Sequence, residues 1–111
     1  MFNLFRKSAH REISAGALQT MLDEGSAMVI DVREAAEFAD GHIPGAINMP
    51  LSTFQATKLP DAGGKTLVLN CAAGRRSAMA IDKCAQVRED AASHVHGGVG
   101  AWRAAGLRVE R

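Results

Sequence analysis

Two apolar runs, "AMVIDV" at 27–32 and "TLVL" at 66–69, interrupt a chain that otherwise mixes polar and apolar positions closely. Neither run alternates with a period of two. Each therefore predicts a short strand covered on both faces, as in a parallel sheet. Elsewhere the spacing is helical. Ala17, Leu18, Met21 and Leu22 share one face of a helix that Ser14 caps, that runs to about Glu24 and that Gly25 stops. "REAAEFAD" predicts a short helix ended by Gly41, and "STFQATKL" a helical turn capped by Ser52. Between them, "GHIPGAINMPL" carries two prolines and two glycines and predicts an ordered connection with a brief strand at "AINM". "DAGGK" is a loop. After "TLVLN" a helix is expected from about Ser77 to Glu89, then a strand at "SHVHG" and a last helix in "VGAWRAAG" stopped by Gly106. Residues 1–11 read as a tail or first strand.

Strands alternating with helices, joined by connections long enough for crossovers, define an α/β fold with a parallel sheet. Length and composition agree: 111 residues suit one domain. A hydrophobic content of 47% is enough for a core that needs neither disulfides nor metals. The formal net charge of +1 offers no electrostatic case for a nucleic-acid partner or a membrane surface. Two cysteines, Cys71 and Cys84, are too few for a secreted disulfide framework. The apolar stretch in "MFNLFRK" is too short for a signal peptide, and no run reaches the length of a membrane span. These features lead to a cytoplasmic expectation. Residues 1–11 also allow a weak amphipathic anchor, with Phe2, Leu4 and Phe5 beside Arg6 and Lys7.

The candidate chemistry lies in "NCAAGRRSA" at 70–78. Cys71 ends a buried strand, and in open parallel sheets ligands collect at that end. Gly74 can take a positive φ, and Ala72 and Ala73 are small, so the loop can curl tightly around the sulfur. A curl followed by a helix aims several peptide N–H groups at one centre and makes an anion nest. Amides, a helix N-terminus and the neighbouring Arg75 and Arg76 all favour thiolate over thiol. The plainer readings are a small buried core cysteine and a strand–glycine–helix loop that holds phosphate.

Asp31 and Arg33 follow the first buried strand. Arg33 is placed to pair with Glu37 one turn into the next helix, and Asp31 to accept from neighbouring loop amides. His42, in "GHIPGA", reads as a packing and turn residue. His94 and His96 share one face of the expected last strand, but too few further ligands stand near for a metal. Trp102 is expected in the core under Gly97 and Gly98. Cys84 falls on an apolar helix stripe with Ala80, Ile81 and Val87. It stands roughly 12 Å along the axis from Arg76, so a disulfide to Cys71, which needs Cα atoms within about 7 Å, is not expected.

Taken together in this order, four segments resemble the single-domain rhodaneses, a family of sulfurtransferases. They are "EISAGALQTMLDEG", "VIDVREAAEFADGHIPGAINMP", "VLNCAAGRRSAMA" and "VHGGVGAWRAAGLRVER". The third is similar to that family's active-site loop, C-x-x-G-x-R-S. The resemblance covers about residues 12–111. It implies a three-layer α/β fold with a central, mainly parallel sheet of about five strands flanked by helices. It also implies that Cys71 is the catalytic residue and carries sulfane sulfur as a persulfide. The donor would be thiosulfate or another small anionic persulfide donor, and the acceptor cyanide, a small thiol or a protein thiol, with no cofactor and no metal. Ala72, Ala73, Gly74, Arg75, Arg76 and Ser77 would bind substrate. Arg76 matches the family's more regular basic position. Asp31 and Arg33 would support the loop. Related phosphatases and arsenate reductases have one residue more between cysteine and arginine. Four residues separate Cys71 from Arg76, a tighter ring that should favour a single sulfur atom over phosphate. "VREDAASHVHGG" departs from the family, being charged and lacking a usual glycine turn, so looser packing or a partner surface is expected there. Some modules of this type bind partners or sense redox state without catalysis, but such modules commonly lose the cysteine.

Overall fold

The computed structural model describes residues 10–111, and the weak anchor considered for residues 1–11 lies almost wholly outside them. Five strands form one sheet: β1 (Arg11–Ile13), β2 (Ala27–Asp31), β3 (Ile47–Asn48), β4 (Thr66–Asn70) and β5 (Ser93–Val95). Their spatial order is β1-β5-β4-β2-β3, and every pairing is parallel. The helices are α1 (Ala15–Asp23), α2 (Ala35–Ala39), α3 (Arg75–Cys84) and α4 (Gly98–Ala104). Two 3-10 turns, Leu51–Thr53 and Ala56–Lys58, fill the connection from β3 to β4.

The two apolar runs become the central strands, β2 and β4, and their side chains divide between the faces with a period of two. Val29 and Val68 pack with Leu18, Ile43, Val95 and Trp102 on the α1–α4 side. Ile30, Leu67 and Leu69 pack with Ala80, Ile81 and Cys84 of α3 on the other. The result is three layers, the architecture expected of alternating strands and helices. Ser14 caps α1 as the sequence indicates, its hydroxyl accepting from the Ala17 amide at 3.1 Å.

Three local expectations change. α3 starts at Arg75 and stops at Cys84, rather than running from Ser77 to Glu89, which leaves Val87 outside the helix and exposed instead of on its buried stripe. In the turn that follows, the Val87 and Arg88 amides both bond the Cys84 carbonyl, and the Arg88 guanidinium donates to the carbonyls of Leu59 and Pro60. The same contacts tie down the charged 87–96 segment, so it is anchored rather than loose. Ser52 caps nothing; it lies inside a 3-10 turn, and its hydroxyl donates to Glu34 at 2.7 Å.

After β2 the chain adds β3 on one flank, then returns to the other flank for β4 and β5. The order reverses between β2 and β4, and the segment leaving β4 begins with Cys71. That is where open parallel sheets place ligands.

Candidate active site

Three residues, Ala72 to Gly74, link Cys71 to α3, and Gly74 has a φ of +113°. The peptide there turns back, and the Gly74 amide donates to Cys71 Sγ at 3.0 Å. The other side of the loop is clamped from α4. The Val99 amide donates to the Cys71 carbonyl at 2.8 Å and the Gly100 amide to the Ala72 carbonyl at 3.0 Å. Drawing these carbonyls toward α4 leaves the loop's amides for the sulfur. The approach is possible because residue 98 has no side chain. A Cβ on Gly98 would overlap the Cys71 carbonyl oxygen and stand 2.6 Å from the Ala72 carbonyl carbon.

Cys71 is only 1% exposed and touches the apolar cluster on the α3 side. Burial is the largest influence on its ionisation and opposes it. The Ser77 hydroxyl and the amides of Ser77, Gly74 and Ala73 act together in the other direction and outweigh it, so the thiol pKa is lowered. Cys84 has no such partners, and burial pushes its thiol up to about 11. Both cysteines are free. The loop thus eases ionisation of one thiol, while burial opposes it at the other.

Behind the sulfur stands a line of polar side chains. Cys71 Sγ lies 3.5 Å from Ser77 Oγ, which lies 2.8 Å from Nδ1 of His94. Ser77 and His94 are both buried. His96, expected on the same face, is exposed, and its Nδ1 stands 3.1 Å from Glu12. Among the described residues, no three His, Cys, Asp or Glu side chains converge as a metal ion would require.

The two arginines differ. The Arg76 guanidinium makes a paired contact to both oxygens of Glu37, at 2.7 and 2.9 Å. This bond holds the Glu37 carboxyl down at about 2. Arg75 is exposed and makes no ion pair among the described residues. The expected Arg33–Glu37 ion pair is replaced by this arrangement. Arg33 reaches only the Glu37 backbone carbonyl, while its Nε and NH2 groups donate to the Asp31 carboxylate. Asp31 accepts from one loop amide, that of Arg33 itself. The guanidinium also donates to the Gly41 carbonyl, so this buried pair ties down the C-terminal half of α2 and the turn that follows it. Glu37 on α2 then holds Arg76 at the start of α3. Asp31 and Arg33 therefore connect to the cysteine loop through Glu37, a carboxylate the sequence placed elsewhere.

Other residues sit as their neighbours suggest. His42 stacks on Phe38 with ring centroids 3.7 Å apart, and its Nδ1 contacts the Phe38 carbonyl. Trp102 is fully buried and donates from Nε1 to the Arg108 carbonyl. Asn70, immediately before the cysteine, is buried with neither amide atom hydrogen-bonded.

A parallel α/β sheet whose switch point carries a cysteine in a curled amide loop defines a class built to hold an anionic sulfur or oxyanion. The sequence model of the rhodanese-like domain matches residues 14–105, and the chain belongs to that family. It is 37% identical over 95 residues to an uncharacterized protein of Synechocystis, covering 86% of this chain and 53% of that protein, so it spans about half that relative's length. A sulfurtransferase of Allochromatium vinosum is 28% identical, with 88% of this chain and 92% of that protein covered. The crystal structure of a rhodanese-related protein from Thermoplasma volcanium superposes with a TM-score of 0.76 at 31% identity, covering 91% of this chain and 98% of that one. The five-stranded three-layer fold is shared with the Thermoplasma structure, and the family is one of sulfurtransferases.

Proposed function

We propose that the protein transfers sulfane sulfur through a persulfide on Cys71, with thiosulfate or a related anionic persulfide as donor. The observation that carries this reading is the amide of Gly74 at 3.0 Å from a sulfur whose ionisation the loop favours. In the first step the Cys71 thiolate attacks the outer sulfur of thiosulfate. The sulfur–sulfur bond of the donor breaks, and sulfite leaves with the electron pair. In the second step cyanide or a thiolate attacks the outer sulfur of the persulfide and restores the Cys71 thiolate. The persulfide is again an anion, so one set of amides serves both states of the cycle.

The start of α3 supports an anionic donor. Its first turn holds two arginines and no acidic residue, a placement that works against the helix dipole. Positive charge unfavourable to the helix is favourable to an anion bound there. Arg76 is already bonded to Glu37, which leaves Arg75 to meet the donor's sulfonate end. The six-residue ring from Cys71 to Arg76 suits one sulfur atom better than a tetrahedral phosphate. Two free cysteines fit a reducing cytoplasm. No helix among the described residues is long and apolar enough to cross a membrane.

Steady-state transfer from thiosulfate to cyanide tests this assignment. Parallel double-reciprocal lines are expected, the signature of a covalent intermediate. Arg75→Ala should raise KM for thiosulfate about tenfold with kcat little changed, the cost of one charged contact. Arg76→Ala should change KM less. A larger KM effect at Arg76 would reassign the donor contact, and hydrolysis of aryl phosphates at a comparable rate would contradict the sulfur reading.

A further inference from the structure

The hydroxyl of Ser77 has one proton and three acceptors within reach. Nδ1 of His94 is 2.8 Å away, the Gly74 carbonyl 3.1 Å and Cys71 Sγ 3.5 Å. When Nδ1 is bare, it is the nearest acceptor and takes the Ser77 proton. Ser77 Oγ is then left to accept the Cys71 S–H, which suits a neutral thiol. When Nδ1 carries a hydrogen, it donates to Ser77 Oγ, and the Ser77 proton is left to the Gly74 carbonyl and to Cys71 Sγ, of which an ionised sulfur is the stronger acceptor. Only the second arrangement stabilises an anion on Cys71. Water does not take over the task, because Cys71, Ser77 and His94 are at most 4% exposed.

We propose that His94 is a positioning residue for Cys71, whose Nδ1–H directs the Ser77 hydroxyl at the anionic sulfur. The inference deepens the persulfide reading and rests on it for its functional meaning. Both the neutral ring protonated at Nδ1 and the doubly protonated ring satisfy it. Each element around His94 allows this state. From β1, Glu12 places Oε2 3.9 Å from Nε2, too far for a hydrogen bond, so it does not fix which nitrogen holds the proton. His10 meets the His94 ring edge-on at 5.8 Å and is itself held by Asp82 of α3 at 2.8 Å. His96 is turned to Glu12. Toward α3 and the loop, His94 meets Ser77 and, through it, Cys71.

Thiolate absorbance in the ultraviolet, followed against pH, reads the effect directly on the purified chain. The sequence has no tyrosine, and a Cys84→Ser background removes the second thiol, so the signal belongs to Cys71. His94→Phe keeps a ring and removes the donor. It should raise the Cys71 midpoint by about one unit, close to a tenfold loss of thiolate on the acid side of the midpoint. His94→Asn puts an amide N–H near the Nδ1 position and should titrate close to the unsubstituted chain. A Phe variant that titrates unchanged, or an Asn variant that shifts as far as Phe, overturns the proposal. Nitrogen-15 spectra of the unsubstituted protein decide it even if the Phe variant does not fold. Nδ1 of His94 should carry hydrogen at a pH where Cys71 is ionised, and a bare Nδ1 there overturns the proposal. None of these measurements involves a sulfur donor. The coupling of His94 to Cys71 can therefore stand or fall separately from sulfur transfer.

Discussion

Gly98→Ala is expected to lower stability by roughly 2–6 kcal/mol and to abolish most sulfur transfer. Two costs add. The residue sits at a φ of +59°, where a side chain costs about 1–3 kcal/mol. The new Cβ would also overlap the Cys71 carbonyl and stand 2.7 Å from the Ala72 oxygen, an overpacking cost of about 1–3 kcal/mol. Backbone atoms cannot swing aside as a long side chain can, so the loop or α4 must move. Either movement breaks the Val99 and Gly100 bonds to the loop carbonyls. The amides facing Cys71 then lose their orientation, and the thiol should titrate higher. Urea unfolding and the thiolate absorbance measure the two effects. Gly16→Ala, on α1 with nothing within 4 Å of the new Cβ, is the control and should stabilise by about 0.5–1 kcal/mol. A Gly98 variant as stable as the parent, with an unchanged thiol, would show that the clamp from α4 does not shape the loop.

Asp31→Ala should cost about 3–5 kcal/mol, because it strands a buried guanidinium without its counter-charge. Arg33 is 5% exposed and directs three of its contacts at this one carboxylate, with a fourth from its amide. The remaining bonds, to the carbonyls of Glu37 and Gly41, carry no opposing charge. For a domain whose total stability is of the order of 5–15 kcal/mol, such a loss lowers Tm by roughly 10 °C or more. Sulfur transfer should fall less than stability does, since the Asp31 carboxylate bonds Arg33 and, among the described residues, makes no hydrogen bond to the cysteine loop. A loss under about 1 kcal/mol would mean that Arg33 finds another partner.

Much of the fold was legible because its signals are local. The runs at 27–32 and 66–69 announce central strands, Ser14 and Gly25 bound α1, and the cysteine–glycine–arginine loop announces an amide nest. What was not legible depends on contacts between distant residues. Glu37 is one turn from Arg33 in sequence and bonds Arg76, 39 residues away, instead. α3 stops at Cys84, and Arg88, expected within it, instead bonds carbonyls 28 and 29 residues earlier. The strand pattern puts His94 and His96 on one face, yet only the fold brings Ser77 against His94. Gly98 carried a weak signal in the paired glycines before Trp102, but its role as the point where α4 meets the loop follows from packing alone.

Cys71 is expected to accept and hold a sulfur atom. Intact-protein mass after brief treatment with thiosulfate tests it most directly. The unsubstituted chain should gain the mass of one sulfur, lose it again on addition of cyanide, and show it on the peptide containing Cys71. Cys71→Ser should gain nothing, and Cys84→Ser should gain as much as the parent. An unsubstituted chain that takes up no sulfur, or one that carries it on Cys84, would contradict the account.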